Sequence, residues 1–168
     1  MPRRSLLCSG MLVLSWACLT FGQGGETKKY ANAEGKFEIL LPDVPKVRKT
    51  GELTTVSWEK DGQGLSVSFG PLPVMADKNP ANRDKMLAAM VEESAKALKA
   101  EVTERRKLAI FGNPGMEWTG TLKETGSEGL VRTYLVNQRF YQIIAIGKSG
   151  FLKSDTAKKS LESFRLTK

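Results

Sequence analysis

The sequence contains no histidine, and its two cysteines, Cys8 and Cys18, both precede residue 19. This removes Ser-His-Asp and Cys-His arrangements for nucleophilic catalysis. Past residue 22 neither thiol nor imidazole remains, so an ordinary zinc, haem or iron–sulfur site has no ligands there. No Gly-x-Gly-x-x-Gly or P-loop pattern occurs, and nucleotide binding has no support. Calcium or magnesium needs only oxygen ligands, but the carboxylates are scattered. Glu92-Glu93 falls on an expected helix beside basic residues, Asp61-Gly62 reads as a turn, and neither resembles a calcium loop. Paired-carboxylate hydrolysis requires two acids facing across a cleft. Eighteen acids offer many pairs and the pattern selects none. No catalytic, cofactor-binding or metal-ligating residue is therefore assigned, and the expectation is a non-enzymatic protein without a cofactor.

Two basic groups remain as candidate binding features. Lys46, Arg48 and Lys49 lie near one end of an expected run of strands. Arg105-Arg106-Lys107 falls in another strand, where neighbours alternate faces. Arg105 and Lys107 should share a side while Arg106 points the other way, which argues against one anion patch. The commoner role of such charges is to protect exposed strands from edge pairing. Trp58, Trp118, Tyr134 and Tyr141 are candidate groove residues, although aromatics at strand positions usually pack in a core.

The elements that must position these residues begin after an unusual N-terminus. Arg3 and Arg4 precede an uncharged stretch from Ser5 to Gly22 that is rich in Leu, Val, Trp and Phe. A basic start, an apolar run and small residues at its end are the parts of a secretory signal. Thr20 and Gly22 stand at −3 and −1, so cleavage is expected after Gly22, with Ala17 the second candidate. A lipid anchor on Cys18 is the lesser alternative, because Ser15 and Trp16 occupy places where such signals carry Leu and a small residue. An uncleaved anchor would need about 20 mainly apolar residues, and this block is short for that and interrupted by Ser5, Ser9, Gly10 and Ser15. Removing residues 1–22 takes away both cysteines, so no disulfide can staple the remainder, although an oxidising compartment would permit one. The net charge of +8 falls by two. The remaining residues suffice for one domain with its own core.

Residues 23–34 are expected to form a flexible leader and residues 35–168 a single α+β domain. Strands are expected at Lys36–Leu41, Val47–Thr50, Leu53–Lys60 and Leu65–Phe69, together an antiparallel meander with a turn at Asp61-Gly62-Gln63-Gly64. Asn79 or Asn82 can cap a helix with Pro80 in its first turn. Met86, Leu87, Met90, Val91, Ala95 and Leu98 form its apolar stripe, and Glu92 and Lys96 sit four residues apart on the wet side. Further strands are expected at Val102–Phe111, Met116–Leu122, Leu130–Val136 and Phe140–Ile146, with a turn at Gly112-Asn113-Pro114-Gly115 and a hairpin at Asn137-Gln138-Arg139. Phe140–Ile146 is apolar on both alternate sets, so both faces of the sheet should be covered. A last helix is capped by Ser154, carries Asp155 at its positive end and buries Ala157, Leu161 and Phe164.

Four segments carry a resemblance: Gly35-Lys36-Phe37-Glu38-Ile39-Leu40-Leu41-Pro42 with Pro45-Lys46; Phe111-Gly112-Asn113-Pro114-Gly115-Met116-Glu117; Tyr134-Leu135-Val136 running to Phe140-Tyr141-Gln142; and Leu161-Glu162-Ser163-Phe164-Arg165-Leu166. Together with the order of elements they resemble the Mog1/PsbP-like superfamily, and within it small exported bacterial proteins of unassigned role, frequent in planctomycete-type genomes. The resemblance implies an antiparallel sheet sandwiched between a long central helix and a short C-terminal helix. Members include a photosystem II extrinsic subunit, a nuclear-transport GTPase cofactor and bacterial lipoproteins, which share a tendency to bind another macromolecule. Fold alone does not assign function, and no residue here carries over the first two roles.

The expectation is an exported protein, periplasmic or extracellular once the signal is cleaved, that binds a macromolecular partner such as an envelope protein or an anionic envelope polymer. Nucleic acid is not expected as a partner, and the membrane is met only through the signal segment. Two alternatives remain: a carboxylate-dependent hydrolase acting on an envelope polymer, and a small-ligand or lipid site between sheet and helix.

Overall fold

A computed structural model describes residues 27–72 and 80–168. The signal segment 1–22, with both cysteines, lies outside the described residues, as do residues 23–26 of the expected leader and Asn79. The described part holds ten strands: β1 (Lys28–Asn32), β2 (Phe37–Leu41), β3 (Lys46–Thr50), β4 (Leu53–Lys60), β5 (Gln63–Pro71), β6 (Ala100–Ile110), β7 (Asn113–Leu122), β8 (Glu128–Val136), β9 (Arg139–Gly147) and β10 (Arg165–Leu166). Helix α1 (Pro80–Ala97) joins β5 to β6, and α2 (Asp155–Ser163) follows a 3-10 turn at Phe151–Lys153.

Seven strands form one antiparallel sheet in the order β3-β4-β5-β9-β8-β7-β6. Two hairpin-linked meanders, β3 to β5 and β6 to β9, meet where β5 pairs with β9, Val67 opposite Ile143. A second sheet, β1-β2-β10, lies across one face of the first. Side-chain alternation explains the layering. Phe37, Ile39 and Leu41 of β2 turn inward and are at most 2% exposed. They meet Val56, Val67, Phe69, Tyr141 and Ile143 from the large sheet, with Ala157 and Leu161 from α2 and Phe164 just after it. Phe37 sits at the centre of the aromatic cluster, its ring centroid 5.6 Å from both Phe69 and Phe164. The buried Tyr141 hydroxyl donates to the Gly35 carbonyl at 2.8 Å, fixing the β1–β2 turn to the sheet. Burying these side chains is worth about 1.5–3 kcal/mol each, the driving force for stacking the layers. The opposite, helix face of the large sheet carries α1.

The structure departs from the expected organisation in four places. The leader does not extend to residue 34: Lys28–Asn32 is β1 and pairs along β2, Tyr30 opposite Ile39. β2 does not belong to the meander, because Pro42 and Pro45 stop regular pairing and the chain changes layer between them. The turn expected at Gly112–Gly115 closes earlier. Phe111 and Gly112 take left-handed φ of 47° and 75°, the two-residue hairpin geometry, and Asn113, Pro114 and Gly115 begin β7. The Asn113 side chain donates to the Ile110 and Phe111 carbonyls, both at 3.2 Å, holding that turn. Asn82 lies within the first turn of α1 rather than before it. The cap of α2 is as expected: the Ser154 hydroxyl accepts from the Ala157 N–H at 3.2 Å.

Candidate functional site

Helix α1 covers only part of its face. Leu87, Val91, Ser94 and Ala95 turn inward, and Val91 and Ala95 pack on Trp118 of β7 and Val131 of β8. The Trp118 indole N–H donates to the Ser94 hydroxyl at 2.9 Å, which donates in turn to the Val91 carbonyl at 3.0 Å. Two ion pairs tie the outer side of the helix to β6, Arg105 to Glu92 at 2.7 Å and Lys107 to Asp84 at 2.6 Å. All these anchors lie on β6, β7 and β8. The helix face of β9 is therefore half-covered: Phe140, Gln142, Ile144 and Ile146 are intermediate in exposure, while Tyr141, Ile143 and Ala145 on the other face are buried. The expected coverage of both faces of this strand is complete on one side and partial on the other.

The uncovered half spans β9, β5, β4 and β3. The register places Ile144 beside Ser66, Ser66 beside Ser57 and Ser57 beside Lys46. The next row runs from Gln142 through Ser68 and Thr55 to Arg48. Small side chains leave a groove of about 550 Å³, lined by Ser57, Ser66, Leu122, Ile144, Ile146 and Lys148 among others. A smaller hollow of about 200 Å³ shares Ser57, Trp58 and Glu59 with it and extends to Val44 and Lys46. In the neighbouring row the Thr55 and Ser68 hydroxyls satisfy one another at 2.9 Å.

Acid–base chemistry finds little purchase here. Glu59 is the carboxylate among the groove's lining residues. The smaller hollow adds Asp43, whose carboxyl is held below its ordinary value by the Val44 N–H and by Lys28. That is the wrong direction for a general acid. Among the described residues no group of three or more His, Cys, Asp or Glu could hold a metal ion. The space between α1 and the sheet is filled by Val91, Ala95, Trp118 and Val131, so the groove lies beside the helix and not beneath it.

The remaining candidates fall as alternation requires. Arg105 and Lys107 both reach α1, whereas Arg106 crosses to the other face and pairs with Glu117. Trp118, Tyr134 and Tyr141 are core residues, and Trp58 is half-buried at the groove margin. Lys46 and Arg48 lie on the outermost strand, where no carboxylate within the described residues pairs with them, while Lys49 meets Glu34 at 2.7 Å.

Glu117 escaped the sequence reading. It is 4% exposed and bonded by Arg106 and by Arg132, the latter at 2.6 Å. Arg132 also donates to the Leu161 carbonyl at 2.8 Å, joining β8 to α2. Burial alone would raise the Glu117 carboxyl, but hydrogen bonds and charge from the two arginines outweigh it and hold it below its ordinary value. This cluster lies in the core side of the sandwich and is structural. A carboxylate between Met116 and Trp118 in an alternating strand was the available signal, but its partners are distant in sequence.

No family model matches this chain, and no curated protein matches it in sequence. Solved structures do match its shape. Cyanobacterial PsbP (CyanoP) from Synechocystis sp. PCC 6803 superposes with a TM-score of 0.63 at 12% identity, covering 86% of this chain and 95% of its own. The Saccharomyces cerevisiae Ran-binding protein Mog1p gives a TM-score of 0.47 at 8% identity, covering 84% of this chain and 95% of its own. The chain has the Mog1/PsbP-like fold.

Proposed function

We propose that this protein is an exported, non-enzymatic binding module that docks a macromolecular partner on the uncovered half of its large sheet. The observation that carries the reading is the offset of α1, which leaves a groove of about 550 Å³ over β9, β5 and β4. A surface of mixed hydroxyls and aliphatic side chains, Ser57, Ser66, Ile144 and Ile146, suits shape-based contact with a protein more than bond cleavage. The address rests on the N-terminal Arg3-Arg4 and the apolar run after it.

The test is a comparison between wild type and Ser66→Arg, which fills the groove from a half-buried floor position without touching the core. A partner captured from an envelope extract by the wild type and identified by mass spectrometry should be lost with Ser66→Arg, while thermal unfolding stays unchanged. Equal capture by both proteins would move the site elsewhere, and no specific capture at any salt concentration would sink the reading.

A further inference from the structure

The two free edges of the large sheet differ. At one end β6 is interrupted by a register shift between Val102 and Glu104. Its three consecutive cations, Arg105, Arg106 and Lys107, are each engaged by a carboxylate. At the other end β3 is regular, pairs with β4 through all five residues and has nothing on its outer side within the described part. All five residues are exposed. The two-residue turn Gly51-Glu52 closes on the Thr50–Leu53 pair. The alternation of an antiparallel ladder then turns the N–H and C=O of Val47 and Lys49 away from β4. Three of the four exposed large aliphatic or aromatic side chains in the described residues flank this edge: Val44 at 79%, Val47 at 56% and Leu53 at 40%.

An edge with free backbone groups and exposed apolar side chains invites strand addition. The charges decide which strand. β3 contains three cations and no acid. A second copy aligned along it would oppose cation to cation, which is unfavourable for directly facing pairs. Lys46 and Arg48 share one face and lack carboxylate partners among the described residues, and Val47 turns to the other face. We propose that the β3 edge accepts an extended acidic segment of a partner protein by strand addition, its acids at alternate positions facing Lys46 and Arg48 and its apolar residues facing Val47. This deepens the binding-module reading and rests on it.

The test uses the full-length protein with a fluorescein-labelled peptide of alternating glutamate and valine, read by anisotropy. Lys46→Glu/Arg48→Glu should weaken binding by roughly tenfold or more, as loss of close charge pairs does, and should restore it toward a peptide of alternating lysine and valine. Methylating alternate peptide nitrogens should also weaken binding by about tenfold, because the ladder bonds are lost. The amide signals of Val47 and Lys49 should shift and exchange more slowly. Equal binding of the methylated peptide, or of inorganic polyphosphate in its place, would overturn strand addition in favour of plain attraction to polyanions. Shifts confined to Ser66 and Ile144, or no binding, would also overturn it. A captured partner that survives Lys46→Glu/Arg48→Glu but not Ser66→Arg would remove this proposal and leave the binding module standing, whereas absence of any partner removes both.

Discussion

Glu117 is a buried charge in a β-sandwich, and its environment makes specific demands. Two guanidinium groups, Arg106 and Arg132, satisfy it, and Arg132 spends a further N–H on the Leu161 carbonyl. Removing one member of such a cluster leaves uncompensated charge in a poorly hydrated place. Glu117→Ala should cost about 3–5 kcal/mol in urea unfolding, whereas Arg106→Ala, whose side chain is 55% exposed and which leaves Arg132 on the carboxylate, should cost less, about 1–3 kcal/mol for the hydrogen bond lost by the buried oxygen. The carboxyl titrates below the ordinary glutamate value near 4.5 in the folded state. Its contribution is fully present above that value and lost as pH falls through the lower folded one. The stability gap between wild type and Glu117→Gln should therefore shrink below about pH 4, and a gap that widened on acidification would contradict the assignment. The residue's type was readable in the sequence. Its burial was not, because Arg106, Arg132 and Leu161 come from three other elements.

At the scale of elements, close approach constrains β7 against β8. A Cβ added at Gly115 would lie 2.4 Å from Tyr134 Cδ1 and 2.8 Å from the Thr133 carbonyl oxygen. Both neighbours are buried and cannot retreat. Gly115→Ala should lower stability by about 1–3 kcal/mol, in the range of overpacked cores, as read by the midpoint of thermal unfolding. The same glycine was expected to serve a turn, since Gly-Asn-Pro-Gly is strong turn chemistry. Phe111 and Gly112 make the turn instead, and Gly115 is there for want of space. Most other elements were legible: Leu53–Lys60 appears with the expected ends, and Ala157 and Leu161 are buried as α2's spacing required, while Phe164 is buried just beyond the helix end. Alternation and helical spacing reveal such elements because each buries one face. They do not reveal β10, two residues long, whose partner β2 lies more than 120 residues earlier in the chain.

For the whole molecule the question is where the domain begins. β1 covers the outer side of β2, and Tyr30 packs on the Phe37 cluster with ring centroids 6.4 Å apart. A chain starting at residue 35 loses this strand. It should be less stable than one starting at Thr27 by about 2 kcal/mol or more, given the apolar area uncovered. Equal urea midpoints for the two truncations would restore residues 28–34 to a dispensable leader. Docking belongs to this scale as well, because the groove and the β3 edge exist only when two meanders, a crossover helix and a second sheet have assembled.

The sequence by itself determined the chemical inventory, with no histidine and no cysteine beyond Cys18, and it determined the periodicities of eight of the ten strands and of both helices. It also carried the basic character of β3 and the opposed sides of Arg105 and Arg106, because alternation is a local property of an extended chain. Only the tertiary structure decided which strands became neighbours, that α1 sits over β6 to β8, and that β3 is left at an edge. Those outcomes depend on how whole faces share a common core, and that competition is settled between segments far apart in the chain. The missing catalytic groups could thus be read from composition, whereas the place where a partner can dock had to wait for the sheet order.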